Sequence, residues 1–258
     1  MRSREDSYAR ARSLYEKPVT PQRTQQMLGL LDESTAETAA LTATTVICEY
    51  LNRWNEAGPA KLSRAEAAVE QALARDAGHF MAHYAKGFVH RGKGQHQASL
   101  DAFEQTIKYN PEFARAYAQK GEQLLYLGRF ADAIEAVDRA IELSPKSAVR
   151  GYFFWVEGRA RFFLQQDTEA VRWLQDSVRN WRNVWYNRLY LVSAHAHAGN
   201  VSGAARVLRS FDRQFPEYTL DRVIENEAAT PADHPLVVAG RERFHEGLRR
   251  AGMISETE

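Results

Sequence analysis

Residues 114–147 read ARAYAQKGEQLLYLGRFADAIEAVDRAIELSPKS, and the same order of small, apolar and turn residues runs 34 positions earlier through 80–113. Ala82 falls on Ala116, Gly87 on Gly121, Gly94 on Gly128, Ala102 on Ala136, Ile107 on Ile141 and Pro111 on Pro145. A fixed period of this length is the mark of a helical solenoid, in which each unit buries its apolar face only by stacking on the next. With the phase set on Gly87, a step of 37 from Gly121 reaches Gly158, with Ala170, Leu174 and Ser177 following; a further 34 reaches Val192, Ala204, Leu208, Phe211 and Pro216.

Packing explains which residue types recur. Each unit is read as two antiparallel helices. Gly87, Gly121 and Gly158 in the first helix, and Ala133, Ala140, Ala170 and Ala204 in the second, let the backbones approach, while Phe103, Val137, Leu174 and Leu208 fill the space between. Gly94, Gly128 and Gly199 stand at the turn inside a unit, where a left-handed residue ends the first helix. Pro111, Pro145 and Pro216 follow second helices that they could not continue.

The pattern resembles the tetratricopeptide repeat, and 114–147 carries nearly the whole consensus. The resemblance implies an all-α, right-handed helical solenoid of antiparallel helix pairs, with about five full repeats at 46–79, 80–113, 114–147, 151–184 and 185–218. The unit 46–79 is degenerate, in phase through Arg53, Ala65, Val69 and Ala72 and with an enlarged loop near 55–61; 21–34 reads as the second helix of an earlier hairpin. Residues 1–45 are expected as a divergent N-terminal helical segment and 219–258 as capping helices and a tail. Within that tail, Val237, Val238, Phe244 and Leu248 predict a helix over 235–251 covering the last repeat. Eleven to thirteen helices are expected in all.

A narrower resemblance lies in AHYAKG (82–87), AIELSP (140–145) and FHEGLRRAGM (244–253). These are similar to the repeat region that follows the catalytic domain of bacterial class III adenylate or guanylate cyclases, and the DNA-binding domain of some winged-helix transcription regulators. The resemblance implies a free-standing relative or a piece of such a protein.

Composition points to an ordered helical chain: of 258 residues 44% are hydrophobic and 26% charged, with only 8 Pro and 15 Gly. No run approaches the ~18 apolar residues of a membrane span and the N-terminus MRSREDSY is charged, so the bacterial cytoplasm is the expected location. Cys48 is the single cysteine and reads as a small apolar residue inside a helix. From Lys146 to Arg213 eleven Lys/Arg face five Asp/Glu, net +6, whereas 217–258 carries five against nine, net −4. An acidic tail packed near a basic end is the expected reading. Trp155, Trp173, Trp181 and Trp185 also lie in the basic stretch, but solenoids use aromatics as core and Arg as solvated face, so nucleic acid is not the expected partner.

Motifs for chemistry are few. Residues 87–94, GFVHRGKG, miss a phosphate-binding loop by Gly94 in place of Ser or Thr, and they lie within a repeat helix and its turn. His79 and His83 are four apart, with His90 and His96 following, yet no carboxylate or cysteine completes a metal set. His195 and His197, two apart, fall on different faces of a helix. Neither catalysis, a metal nor a cofactor is expected.

What remains is recognition. The resemblance implies that the second, fifth, ninth and twelfth residues of each first helix line a concave groove: Met81, Tyr84, Phe88 and Arg91; Arg115, Ala118, Glu122 and Leu125; Tyr152, Trp155, Arg159 and Phe162; Tyr186, Leu189, Ser193 and Ala196. Chaperone-tail adaptors of this family clamp a carboxylate with Lys and Asn; here those positions hold Tyr84, Phe88 and Arg115, so a peptide with aromatic or aliphatic anchors and some acidic residues fits better. The expected function is a non-catalytic scaffold or adaptor for a protein or peptide, with a regulatory module beside a cyclase or winged-helix regulator as the alternative. Truncating Trp155 or Arg159 is expected to weaken partner binding at least tenfold while Arg206 and Arg209 do not matter, as for central and rim residues of an interface.

Overall fold

A computed structural model describes residues 4–17, 20–52, 58–182, 184–228 and 232–255. Among them are fourteen α-helices and no strand. The count exceeds the expected eleven to thirteen because the divergent N-terminal segment alone holds α1 (Arg4–Tyr15), α2 (Pro21–Leu28) and most of α3 (Ala36–Leu51).

The chain divides into two compact units, Met1–Gln123 and Leu124–Glu258. In the first, α1 and α2 form a hairpin, α3 pairs with α4 (Pro59–Arg75), and α5 (Phe80–Gly92) pairs with α6 (His96–Tyr109). The expected boundary at 45/46 falls inside α3. That helix is capped by Thr35, whose hydroxyl accepts from the Thr38 amide in a capping box, and its Ala- and Thr-rich sequence is buried nearly all round, so it shows no periodic stripe. Arg53 and residues 54–57 lie outside the described residues; 59–61 are the first turn of α4.

Helix α7 (Ala114–Tyr126) begins in the first unit and ends in the second. The second unit continues with α8 (Phe130–Leu143), the pair α9 (Arg150–Phe163) and α10 (Asp167–Asn180), the pair α11 (Tyr186–His197) and α12 (Val201–Gln214), then α13 (Leu220–Ala228) and α14 (Pro235–Arg250). The repeat glycines mark close approach. A Cβ at Gly87 would stand 2.5 Å from the Phe103 ring, and one at Gly158 would stand 2.7 Å from Leu174. In two pairs a serine of the second helix bonds the first: Ser99 Oγ donates to the Gly87 carbonyl at 2.7 Å and Ser177 Oγ to the Gly151 carbonyl at 2.8 Å.

The intra-unit turns show the expected left-handed residue at Gly94 (φ 71°), Gly128 (72°) and Gly199 (73°). Between α9 and α10 the same conformation falls on Gln165 (φ 60°), a residue with a Cβ. Gln165→Gly is expected to stabilise the second unit by about 0.5–1 kcal/mol. Gly94, with nothing within 4 Å of its would-be Cβ, should lose about 1 kcal/mol on change to Ala through backbone strain alone. Thermal melts of the two variants moving in opposite directions check this; a fall for Gln165→Gly would contradict it.

Candidate functional site

In the first unit, α5 and the N-terminal part of α7 carry Met81, Tyr84, Phe88, Arg91, Arg115, Ala118 and Glu122. The structure buries Tyr84, Phe88, Ala118 and Glu122 and half-buries Met81, Arg91 and Arg115. Tyr84 and Phe88 set their rings edge-on to Phe103 of α6, at 5.6 and 5.4 Å. Arg91 and Glu122 face each other in a 2.6 Å ion pair that links α5 to α7. The face is then covered from a distance in sequence. Arg115 lies over the Tyr15 ring of α1 at 4.5 Å and donates to the carbonyls of Tyr15 and Glu16, at 3.2 and 3.4 Å. Tyr15 and Tyr84 are both buried, and burial raises both hydroxyls above the ordinary tyrosine range.

In the second unit, Leu125, Phe162, Leu189 and Ser193 are fully buried and Trp155 and Arg159 nearly so, at 4% and 5% exposure; Tyr152, Tyr186 and Ala196 are half-buried. Trp155 packs on Tyr186 and Tyr190, at 4.8 and 5.0 Å. Arg159 sits among four rings, Tyr126, Trp155, Phe163 and Tyr190, at 5.1 to 5.6 Å, where a guanidinium gains from each π face. Truncating Trp155 or Arg159 therefore disturbs the core as well as the surface. The accessible aromatics of this face are Tyr152 and Tyr186, which meet Trp181 edge-on at 5.7 and 5.6 Å.

Helix α14 lies on this same face. The sequence predicts a cap on the last repeat; the helix packs against α11 of that repeat and also against α9 of the one before it. Phe244 stacks on Tyr190 with centroids 4.0 Å apart and planes 10° from parallel. Gly240 meets Phe163 and Gly247 meets Ser193, both closely enough that a Cβ would collide. Arg243 lies 4.6 Å over Phe162, donates to its carbonyl at 3.3 Å and pairs with Asp167 at 2.6 Å. His197 Nε2 donates to the Arg243 carbonyl at 2.8 Å. Tyr190 and His245 both reach the Glu227 carboxylate of α13, at 3.0 Å each. The buried stripe is Val237, Gly240, Phe244, Gly247 and Leu248; Val238, read as part of it, is 41% exposed. One ion pair between the basic stretch and the tail joins the cation Arg243 of the tail to the acid Asp167 of the stretch.

Sequence reading missed Tyr15, Arg243 and Phe244 as residues of these faces. Gly240 and Gly247, seven apart with Phe244 between them, are a signal of close helix packing on α14.

The remaining chemistry candidates have structural settings. His79 stands at the N-terminus of α5 with its ring stacked toward Phe80; His83 stacks on Tyr109 at 5.2 Å and bonds the Ala77 carbonyl; His96 meets Gln123 at 3.1 Å. His195 is buried in α11, where desolvation lowers its pKa, and Cys48 lies in α3 with burial pushing its thiol up to about 11. Gly87 and Gly92 lie in α5 and Gly94 in its turn. Among the described residues no group of three His, Cys, Asp or Glu side chains is placed to hold a metal ion, and no helix is long and apolar enough to cross a membrane.

Glu157, beside Gly158 in α9, is fully buried, and desolvation pushes its carboxyl from 4.5 up to about 7, although Arg161 Nε donates to it at 2.7 Å. Between those pH values the folded chain holds more protons than the unfolded one, so this group lowers stability as pH rises through the window. Glu157→Gln removes that slope. Its melting temperature relative to the parent should be higher at pH 8 than at pH 5; an equal difference at both would contradict the placement.

Comparison with known proteins agrees with the fold. Residues 89–148 match the tetratricopeptide repeat family model. Over 56 residues, 22% of the chain, it is 36% identical to small glutamine-rich tetratricopeptide repeat-containing protein 2 of Mycosarcoma maydis, and the match spans 16% of that protein's length. Among solved structures, the chain is similar to PilW, a widely conserved type IV pilus biogenesis factor (TM-score 0.62, 16% identity, 82% of this chain and 91% of that one). Pseudomonas aeruginosa PilF (TM-score 0.61, 15% identity, 84% and 93%) and a thermophilic tetratricopeptide protein of Thermus thermophilus (0.57, 15%, 74% and 98%) are also similar. Residues 89–148 thus match the tetratricopeptide repeat, and the chain shares the all-helical fold of these structures.

Proposed function

We propose that the chain is a non-catalytic scaffold, acting in the cytoplasm, that binds a protein or peptide along the inner faces formed by the first helices of its repeats. The observation that supports this most is the use these faces already have: the face holding Tyr84 and Arg115 takes up the end of α1, and the face holding Phe162 and Ser193 takes up α14. Both accept helical chain through aromatic and Arg contacts, the residue types that dominate binding hot spots. Tyr152 and Tyr186 remain partly accessible beside α14's seat.

A photo-crosslinking residue placed at Tyr152 or Tyr186 should trap a protein from the source cell, and the same residue at Arg206, exposed on α12, should not. Trapping at Arg206 alone would move the site to the basic outward helices. The motifs at 82–87, 140–145 and 244–253 support a second reading, a regulatory module beside a cyclase or winged-helix regulator. A trapped protein of either type would favour it.

A further inference from the structure

We infer that the inner face of the second unit is a receptor for an amphipathic helix, that α14 is its resident and exchangeable occupant, and that the external partner is a helix of the same pattern. The inference rests on the proposed function and names its partner class. α14 stands outside the helix pairs: six residues separate its start from the end of α13, and it lies across α11 and α9 rather than pairing in the repeat series. Its recognition elements form a readable set. An aromatic at 244 stacks on Tyr190, glycines at 240 and 247 admit Phe163 and Ser193, and Arg243 binds Asp167 and the Phe162 carbonyl at the end of α9. The fit is also imperfect. Among the described residues Ser193 Oγ, buried under Gly247, has no hydrogen-bond partner, which costs the resident complex a polar group that a competing helix could satisfy. Outside that buried stripe, Leu236 and Val238 are 55% and 41% exposed.

When the binding-competent state is only a fraction of the population, the apparent affinity for an added ligand falls by that fraction, so weakening α14 must strengthen binding in trans. The probe is a fluorescein-labelled peptide with the sequence of residues 234–253, titrated by anisotropy into the full chain and into full chains carrying Gly247→Val, Phe244→Ala or Arg243→Glu. Each substitution loosens α14 and leaves every side chain of the receptor face in place. The variant chains should bind the peptide at least tenfold more tightly than the parent does, and a peptide carrying Phe244→Ala should lose most of that binding. A variant that keeps its helical circular dichroism and cooperative melt yet binds the peptide no better than the parent would overturn the inference. So would equal binding by the Phe244→Ala peptide, or loss of folding in all three variants, which would make α14 a permanent part of the core. Such a failure leaves the proposed function standing, because crosslinking at Tyr152 and Tyr186 reads partner capture without α14. Conversely, tight peptide binding with no protein trapped at those positions would retain the receptor and remove the scaffold.

Discussion

Phe103→Ala is expected to lower the stability of the first unit by about 3–5 kcal/mol, the cost of deleting a fully buried aromatic from a site that cannot collapse. Phe103 is where the repeat's logic converges. Its ring rests on Gly87, which has no Cβ to oppose it, and takes the edges of Tyr84 and Phe88 from the facing helix. Chemical denaturation followed by circular dichroism measures the loss. A change below about 1 kcal/mol, the scale of an ordinary surface substitution, would mean that the crossing of α5 and α6 is not packed as described.

Removing residues 235–258 is expected to have at least as large an effect in the second unit. It withdraws Val237, Phe244 and Leu248, all buried, and uncovers Tyr190, Phe162 and Phe163. Burial of a side chain of this size supplies roughly 1.5–3 kcal/mol, and the Phe244–Tyr190 stack adds about 0.5–1.5 kcal/mol. The truncated chain should melt at a lower temperature and bind a hydrophobic dye. A chain that stayed dye-silent and melted with the parent would show that α14 covers nothing of consequence.

The repeat body was legible because its constraints are local and periodic. Gly94, Gly128 and Gly199 announce turns, and Gly87 and Gly158 announce close crossings, at a spacing that repeats. The start of α3 was not, since AETAALTATTVICEYL is buried almost all round and presents no polar face to count from. The family resemblance assigns inner-face residues by their position in each first helix, but nothing in the sequence gives what covers them. Arg115 meets Tyr15 across 100 residues and Arg243 meets Phe162 across 81, and contacts of that span leave no period in the sequence. Gln165 shows the same limit at short range, taking a left-handed conformation that a glycine would have advertised.

Recognition through the inner face is tested most directly by the affinity of the crosslinked partner, once purified, for the parent chain and for Tyr152→Ala, Tyr186→Ala and Arg209→Ala. Truncating a central aromatic in an interface costs about 2 kcal/mol or more, roughly thirtyfold in affinity, whereas a residue outside it costs little. Each tyrosine variant should lose at least tenfold in affinity with folding intact, and Arg209→Ala should not change it. Full affinity in both tyrosine variants, or an equal loss in Arg209→Ala, would contradict recognition through the inner face.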